Sequence, residues 1–292
     1  MTDTLTSFFG SQIKRAVSLS KAPTVITEDN VFQEGDKNIL PILDEMVEAL
    51  ILPGSGLDGL ENLEELYSLA ESGKSCLLLV DHYSNMDLSI VSLMVRKAGG
   101  RGTNIGHAIT AIAGMKLNED NPVVAAFAGA YSRIVIYPSR SLSGLEGEKL
   151  QSELNRSNVI NRAAMKALNE EKTKGRLILI FPSGTRYRPG EPETKKGVRE
   201  IDSYIRSFDY MCFVAINGQI LHVQKTDMMN DFVSKDVIRV TSGPIVSCKE
   251  FRDKIRTTTP ETEDKKQAVA DSIMTELEKL HESAEEKRKK LL

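Results

Sequence analysis

Two histidines in this chain precede an aspartate by five positions: His82 with Asp87, and His222 with Asp227. A carboxylate at that distance can fold back and accept a hydrogen bond from one imidazole nitrogen. The other nitrogen is then basic and fixed in direction, which gives two-thirds of a charge-relay site. The same spacing suits a plainer role, in which the aspartate caps a helix and the histidine packs against the turn. A second set of chemistry-bearing residues follows two apolar runs: Arg140 after 133–137, and Arg186 and Arg188 after 176–181. Guanidinium groups bind phosphate through paired, charge-assisted hydrogen bonds. Three of them at one edge would be costly to hold together without an anion. The plainer alternative is that each pairs with a nearby carboxylate such as Glu191 or Glu193.

The elements around these residues set where they can meet. The run 77–80 is continuously apolar and reads as a buried parallel strand. A polar turn follows, with His82, Ser84, Asn85 and Asp87. Apolar residues then return at helical spacing: Leu88, Val91 and Val95, with Ile90 and Met94 beside them. His82 therefore sits where a strand hands over to a helix, at the carboxyl edge where open α/β sheets bind ligands. Further strands are expected over 108–113, 133–137, 176–181, 210–221 and 237–241. Helices are expected over 37–51, 60–72, 121–130 and 145–171, the last stopped by Gly175, and from Pro260 onward. Gly99-Gly100-Arg101-Gly102 reads as a turn.

This alternation predicts an α/β fold with a mainly parallel central sheet and helices on both faces. We divide the chain into a short N-terminal helical extension (1–72), an α/β domain (73–259) and a C-terminal amphipathic helix (260–292) on or beside that domain. Residues 1–30 read as a frayed tail. Phe8, Phe9, Ile13 and Val17, beside Lys14 and Arg15, leave a surface-lying helix as the alternative.

Composition narrows the function classes. The 292 residues carry a net charge of −3, which gives no reason to expect nucleic acid. Cys76, Cys212 and Cys248 are far apart and read as free buried thiols in a reducing compartment, not a disulfide framework or a metal site. No apolar run approaches the ~18 residues of a membrane-spanning helix, and the N-terminus lacks a signal-peptide pattern. The expected location is cytoplasmic; the basic residues 287–290 suit the C-terminal end of the helix dipole, with reversible contact to an anionic membrane surface, shared with Lys14-Arg15, as the alternative.

Four blocks in order resemble the glycerolipid acyltransferases that make lysophosphatidate and phosphatidate. Residues 81–87 contain their His-x-x-x-x-Asp box. Phe181-Pro182-Ser183-Gly184-Thr185-Arg186 is similar to their Phe-Pro-Glu-Gly-Thr-Arg box. Residues 134–140 stand where their intermediate block carries a phosphate-contacting basic residue. Val214-Ala215-Ile216 resembles their fourth, apolar block without its usual proline. The resemblance spans roughly 75–245 and singles out His82 over His222, which has no such blocks after it. Within the family, the chain most resembles the soluble plastid-type glycerol-3-phosphate acyltransferases, through Ser183 in the third box and the stretches 38–72 and 113–137. It differs in having only Ser139-Arg140 where those enzymes have a Lys-Lys-His phosphate contact, and in lacking most of their N-terminal helical domain.

The resemblance implies direct acyl transfer from a thioester, on acyl carrier protein or coenzyme A, to the sn-1 hydroxyl of glycerol 3-phosphate. His82 would act as general base oriented by Asp87. Arg140, Arg186 and Arg188, with the Ser183-Gly184-Thr185 turn, would hold the acceptor. Neither a metal nor an organic cofactor is called for. Lysophosphatidate as acceptor is the alternative within the same chemistry. A non-catalytic lipid or acyl-carrier binding module is the alternative from another class. Ser84, close to His82, raises a serine nucleophile, but that reading would leave the arginines and the other blocks unexplained. Leu88, Val91 and Met94 are candidates for an acyl groove or, more simply, a core face.

Overall fold

A computed structural model describes residues 3–119, 121–224 and 228–292. The N-terminal part runs α1 (Leu5–Leu19), β1 (Phe32–Gln33), α2 (Leu40–Glu48), β2 (Gly56–Asp58) and α3 (Leu60–Glu71). The middle runs β3 (Cys76–Val80), α4 (Asp87–Lys97), α5 (Gly102–Ala108), β4 (Ile109–Gly114), α6 (Lys116–Glu119), α7 (Pro122–Gly129), β5 (Arg133–Ile136), α8 (Gly147–Lys172) and β6 (Leu177–Ile180). The rest runs α9 (Ile201–Ser207), β7 (Tyr210–Asn217), β8 (Leu221–His222), β9 (Phe232–Val233), β10 (Arg239–Ser247), α10 (Cys248–Thr258) and α11 (Lys265–Arg288).

Eight strands form one sheet in the order β1-β5-β4-β6-β3-β7-β10-β2, and β8 pairs separately with β9. Strands β5, β4, β6, β3 and β7 are mutually parallel. β10 runs antiparallel to β7, and β1 antiparallel to β5. The turns after β3, β5 and β6 therefore open on one edge. β3 lies inside the sheet, between β6 and β7, and all five of its residues are buried. That is why its sequence is an unbroken apolar run and not an alternation. Leu78 and Val80 join the core under α1–α4, whereas Leu77 and Leu79 join the core under α8, α9 and α11. The expected α/β architecture, with helices on both faces and a long C-terminal helix, is what the chain adopts.

Several elements differ from expectation. The N-terminal segment is not a frayed tail. Thr4 caps α1 in a capping box, and Leu5, Phe9, Ile13 and Ala16 are buried. The apolar stripe faces inward onto α2 and α7, and only Phe8 of its two phenylalanines stands exposed. The expected turn at 99–102 leads directly into α5, a helix too short to show a clear period. α9, α10 and the β8–β9 pair also lacked a sequence signal. The segment 1–72 is helical as expected but also supplies β1 and β2, the strands at the two ends of the sheet order. Val91 and Met94 are buried in the core, and Leu88 packs against it, so these three form a core face and not an open groove.

The three cysteines are free and buried. Burial pushes each thiol up to about 12, so none is a ready nucleophile. Among the described residues no helix is long and apolar enough to cross a membrane. The basic C-terminal end is only partly available to an anionic surface. Arg288 is buried, donating to the carbonyl of Val237 and pairing with Asp236 and Glu285, and Lys289 pairs with Glu286.

Candidate active site

The chain leaves β3 at Val80 and re-enters a helix at Asp87, so six residues must turn at the carboxyl end of a buried strand. A turn that short and that buried has to satisfy its own backbone donors. Asp87 supplies the acceptor. Its Oδ2 takes hydrogen bonds from the backbone N–H groups of Tyr83 (2.5 Å) and Ser84 (2.9 Å), and its Oδ1 takes one from the Ser84 hydroxyl (2.7 Å). Oδ2 also lies 2.9 Å from His82 Nδ1. Asp87 is thus more than a helix cap: the residue flanking α4 is Met86, and the Asp87 carboxylate reaches back across the turn. With Nδ1–H directed at the carboxylate, the proton-accepting nitrogen of His82 is Nε2. The imidazole is 17% exposed and Asp87 2%, an accessible base on a buried anchor.

The loop after β6 closes on this turn. Phe181 stacks on the His82 ring, with centroids 4.0 Å apart and planes within 16°. Such a stack fixes the ring plane and covers one imidazole face. Tyr187 N–H donates to the carbonyl of His82 at 2.8 Å. Between these two contacts the chain reverses at Gly184, whose φ of +61° favours glycine. The Gly184 N–H returns to the carbonyl of Phe181 at 2.8 Å. Ser183 is buried and donates to the carbonyl of Thr185 at 2.7 Å, so its hydroxyl shapes the turn. Thr185 is half-buried in the same turn.

The three arginines have different surroundings. Arg140, after β5, donates to the carbonyl of Gly184, which joins the loops of β5 and β6 across the intervening β4. Burial, and then the nearby charge of Arg188, lowers its pKa below the usual guanidinium value. Two cations are therefore held close at the edge where His82 lies. Arg188 reaches Glu191 at 3.4 Å, the local pairing anticipated as the plainer alternative. Arg186 turns to Asp231 at 3.6 Å, a buried carboxylate just before β9. Ser84 spends its hydroxyl proton on Asp87 while accepting from the Met86 N–H at 3.1 Å, so it is not poised for His82 as a nucleophile. His222, on β8, contacts Ser234 Oγ at 2.7 Å; Asp227, its sequence counterpart of Asp87, lies outside the described residues.

Several residues at this edge had no sequence signal. Asp81, immediately before His82, is buried and meets His281 of α11, two hundred positions away. Tyr83 faces both His281 and Tyr187. Burial, reinforced by the Asp81, Glu278 and Asp87 carboxylates, raises the Tyr83 pKa and keeps it a neutral phenol. Lys195 lies over the Tyr187 ring at 5.0 Å and pairs with Glu278 of α11 at 3.1 Å. Only Asp81, adjacent to the histidine box, could have been flagged in advance.

The carboxyl edge of the mainly parallel sheet thus carries a His–Asp pair with basic residues beside it. A family model described as Acyltransferase matches residues 57–205, and this chain belongs to that family. No curated protein matches the chain. Among solved structures, it is similar to the crystal structure of the 1-acyl-sn-glycerophosphate (LPA) acyltransferase PlsC from Thermotoga maritima. The identity is 16% and the TM-score 0.44, with 94% of this chain and 88% of that one covered.

Proposed function

We propose that the protein transfers a fatty acyl group from a thioester, on acyl carrier protein or coenzyme A, to the sn-1 hydroxyl of glycerol 3-phosphate. The observation that carries this reading is the His82–Asp87 contact of 2.9 Å at the end of the central strand, beside the turn where Arg140 meets Gly184. His82 Nε2 removes the hydroxyl proton as the oxygen attacks the thioester carbonyl. Collapse of the tetrahedral intermediate expels the thiolate, which recovers that proton from the imidazolium. A positioned base of this kind contributes ~10²–10⁴ in rate. Asp87 fixes the tautomer and supports the transient imidazolium. Arg140, Arg186 and Arg188 bind the acceptor phosphate, and the Ser183-Gly184-Thr185 turn shapes the wall between phosphate and base. Holding the hydroxyl near Nε2 is worth ~7–11 kcal/mol at most.

The test is an acyl-transfer assay with purified protein, offering glycerol 3-phosphate and lysophosphatidate side by side with each thioester donor. Lysophosphatidate as the product from glycerol 3-phosphate supports the reading. Phosphatidate as sole product moves the acceptor to lysophosphatidate. No turnover by folded protein with any pair leaves a binding module. Arg140→Ala and Arg188→Ala should each remove charge-assisted bonds worth ~1.5–3 kcal/mol and raise the acceptor KM roughly ten- to hundredfold. If the donor KM rises instead, these arginines hold the carrier's phosphates and the site is oriented the other way.

A further inference from the structure

We infer that His281, on the C-terminal helix, is a positioning residue for His82. This rests on the reading of His82 as the general base. The two chain neighbours of His82 converge on one nitrogen. His281 Nδ1 lies 3.1 Å from Asp81 Oδ2 and 3.3 Å from the Tyr83 hydroxyl. Asp81 is otherwise held by β7. Its N–H donates to the carbonyl of Val214 at 3.2 Å, and its Oδ2 lies 3.4 Å from the Ile216 N–H. Residues 81 and 83 are thus fixed from the α11 side, while Asp87 and Phe181 fix the imidazole between them from the other side.

The chemistry of the cluster specifies which proton is used. Tyr83 stays a neutral phenol. A buried carboxylate needs donors, and His281 is the only side chain among the described residues that supplies one to Asp81. The Nδ1–H tautomer therefore donates to Asp81, with the Tyr83 oxygen facing the same proton as a second acceptor. α11 is itself fixed at this point. Asn217 of β7 donates to the backbone carbonyl of His281 at 3.0 Å and to Glu285 at 3.1 Å, and Lys195 holds Glu278 one turn earlier. The helix is consequently a rigid mount, and Nδ1–H transmits its position to the segment that bears the base. Small displacements of a catalytic group lower turnover more than they lower binding when the group acts only in the transition state.

The test is a pair of substitutions that differ by one methylene. In His281→Asn the amide nitrogen falls near the place of Nδ1 and can donate to Asp81. In His281→Gln it falls near Nε2 and cannot. We expect His281→Asn to keep kcat within about threefold of wild type and His281→Gln to lower it about tenfold or more, with both substrates' KM within about twofold in each, since the bond acts on turnover and not on ground-state binding. Equal kcat in the two variants, whether normal or reduced, overturns the inference, as does a change confined to KM, which would make α11 a substrate wall. Matching thermal unfolding midpoints check that both variants are folded. His82→Ala in the same assay separates the two claims: if it keeps full turnover, the general-base reading itself fails, whatever His281 does.

Discussion

Two histidine–aspartate pairs meet at the carboxyl end of β3, and they are built in opposite ways. His82 and Asp87 are joined by one turn, and Asp87 also binds two backbone N–H groups and a hydroxyl of that turn. The pair is a local structure that the turn requires for its own stability. Asp81 and His281 come from β3's turn and the C-terminal helix, two hundred positions apart, and Asp81 has few donors in a buried setting. Burial raises the Asp81 pKa, and the His281 contact only partly opposes that. The first pair survives wherever the turn forms, whereas the second exists only when α11 is laid on β7. The first kind of anchor sets the direction of the imidazole within its turn. A mount that holds the whole turn in place can be of the second kind.

The largest expected effect separates the local pair from its sequence double. His82→Ala should cost ~10²–10⁴ in kcat, while His222→Ala, whose imidazole contacts Ser234, should retain most activity. Initial rates at saturating substrate decide it, and the reverse outcome would transfer the base to the β8–β9 region.

A smaller effect is expected for Asp87→Asn. The amide cannot hold the Nδ1–H tautomer as a carboxylate does, so kcat should fall by roughly 10² with acceptor KM changed far less. Full activity in the folded fraction of a largely unfolded preparation would reduce Asp87 to a turn organiser and erase the contrast between the pairs.

The smallest effect concerns Asp81 and appears in stability. Its folded pKa is raised, so between the ordinary aspartate value and the raised one the folded state binds more protons than the unfolded state. Stability from this group is fully present at low pH and is lost as pH rises through that window. Asp81→Asn has no such ionisation. Its unfolding midpoint, relative to wild type, should therefore climb as pH rises above the ordinary aspartate value. A difference that stays flat would mean His281 fully offsets the burial of Asp81, and the two pairs would be electrostatically alike.

The chain's own order determined the strand–turn–helix around His82, the parallel α/β class and the family blocks. Each is written in contiguous residues: an unbroken apolar run, a five-residue His–Asp spacing, a Gly184 turn followed by arginines. Periodicity also placed α8 and α11. Short elements such as α5, α9 and the β8–β9 pair were not legible, because one or two turns of helix give no period to count. The inward face of α1 was not legible either, since the same stripe fits a solvated tail until α2 and α7 are there to cover it. Only the tertiary structure decided which carboxylates the arginines meet. Arg188 found Glu191 three residues on, but Arg186 found Asp231 across the fold. It alone brought His281 to Asp81 and Phe181 to His82. Sequence spacing fixes contacts only within the reach of a turn. Beyond that, the order of strands in the sheet and the helix laid across them decide which side chains share an edge.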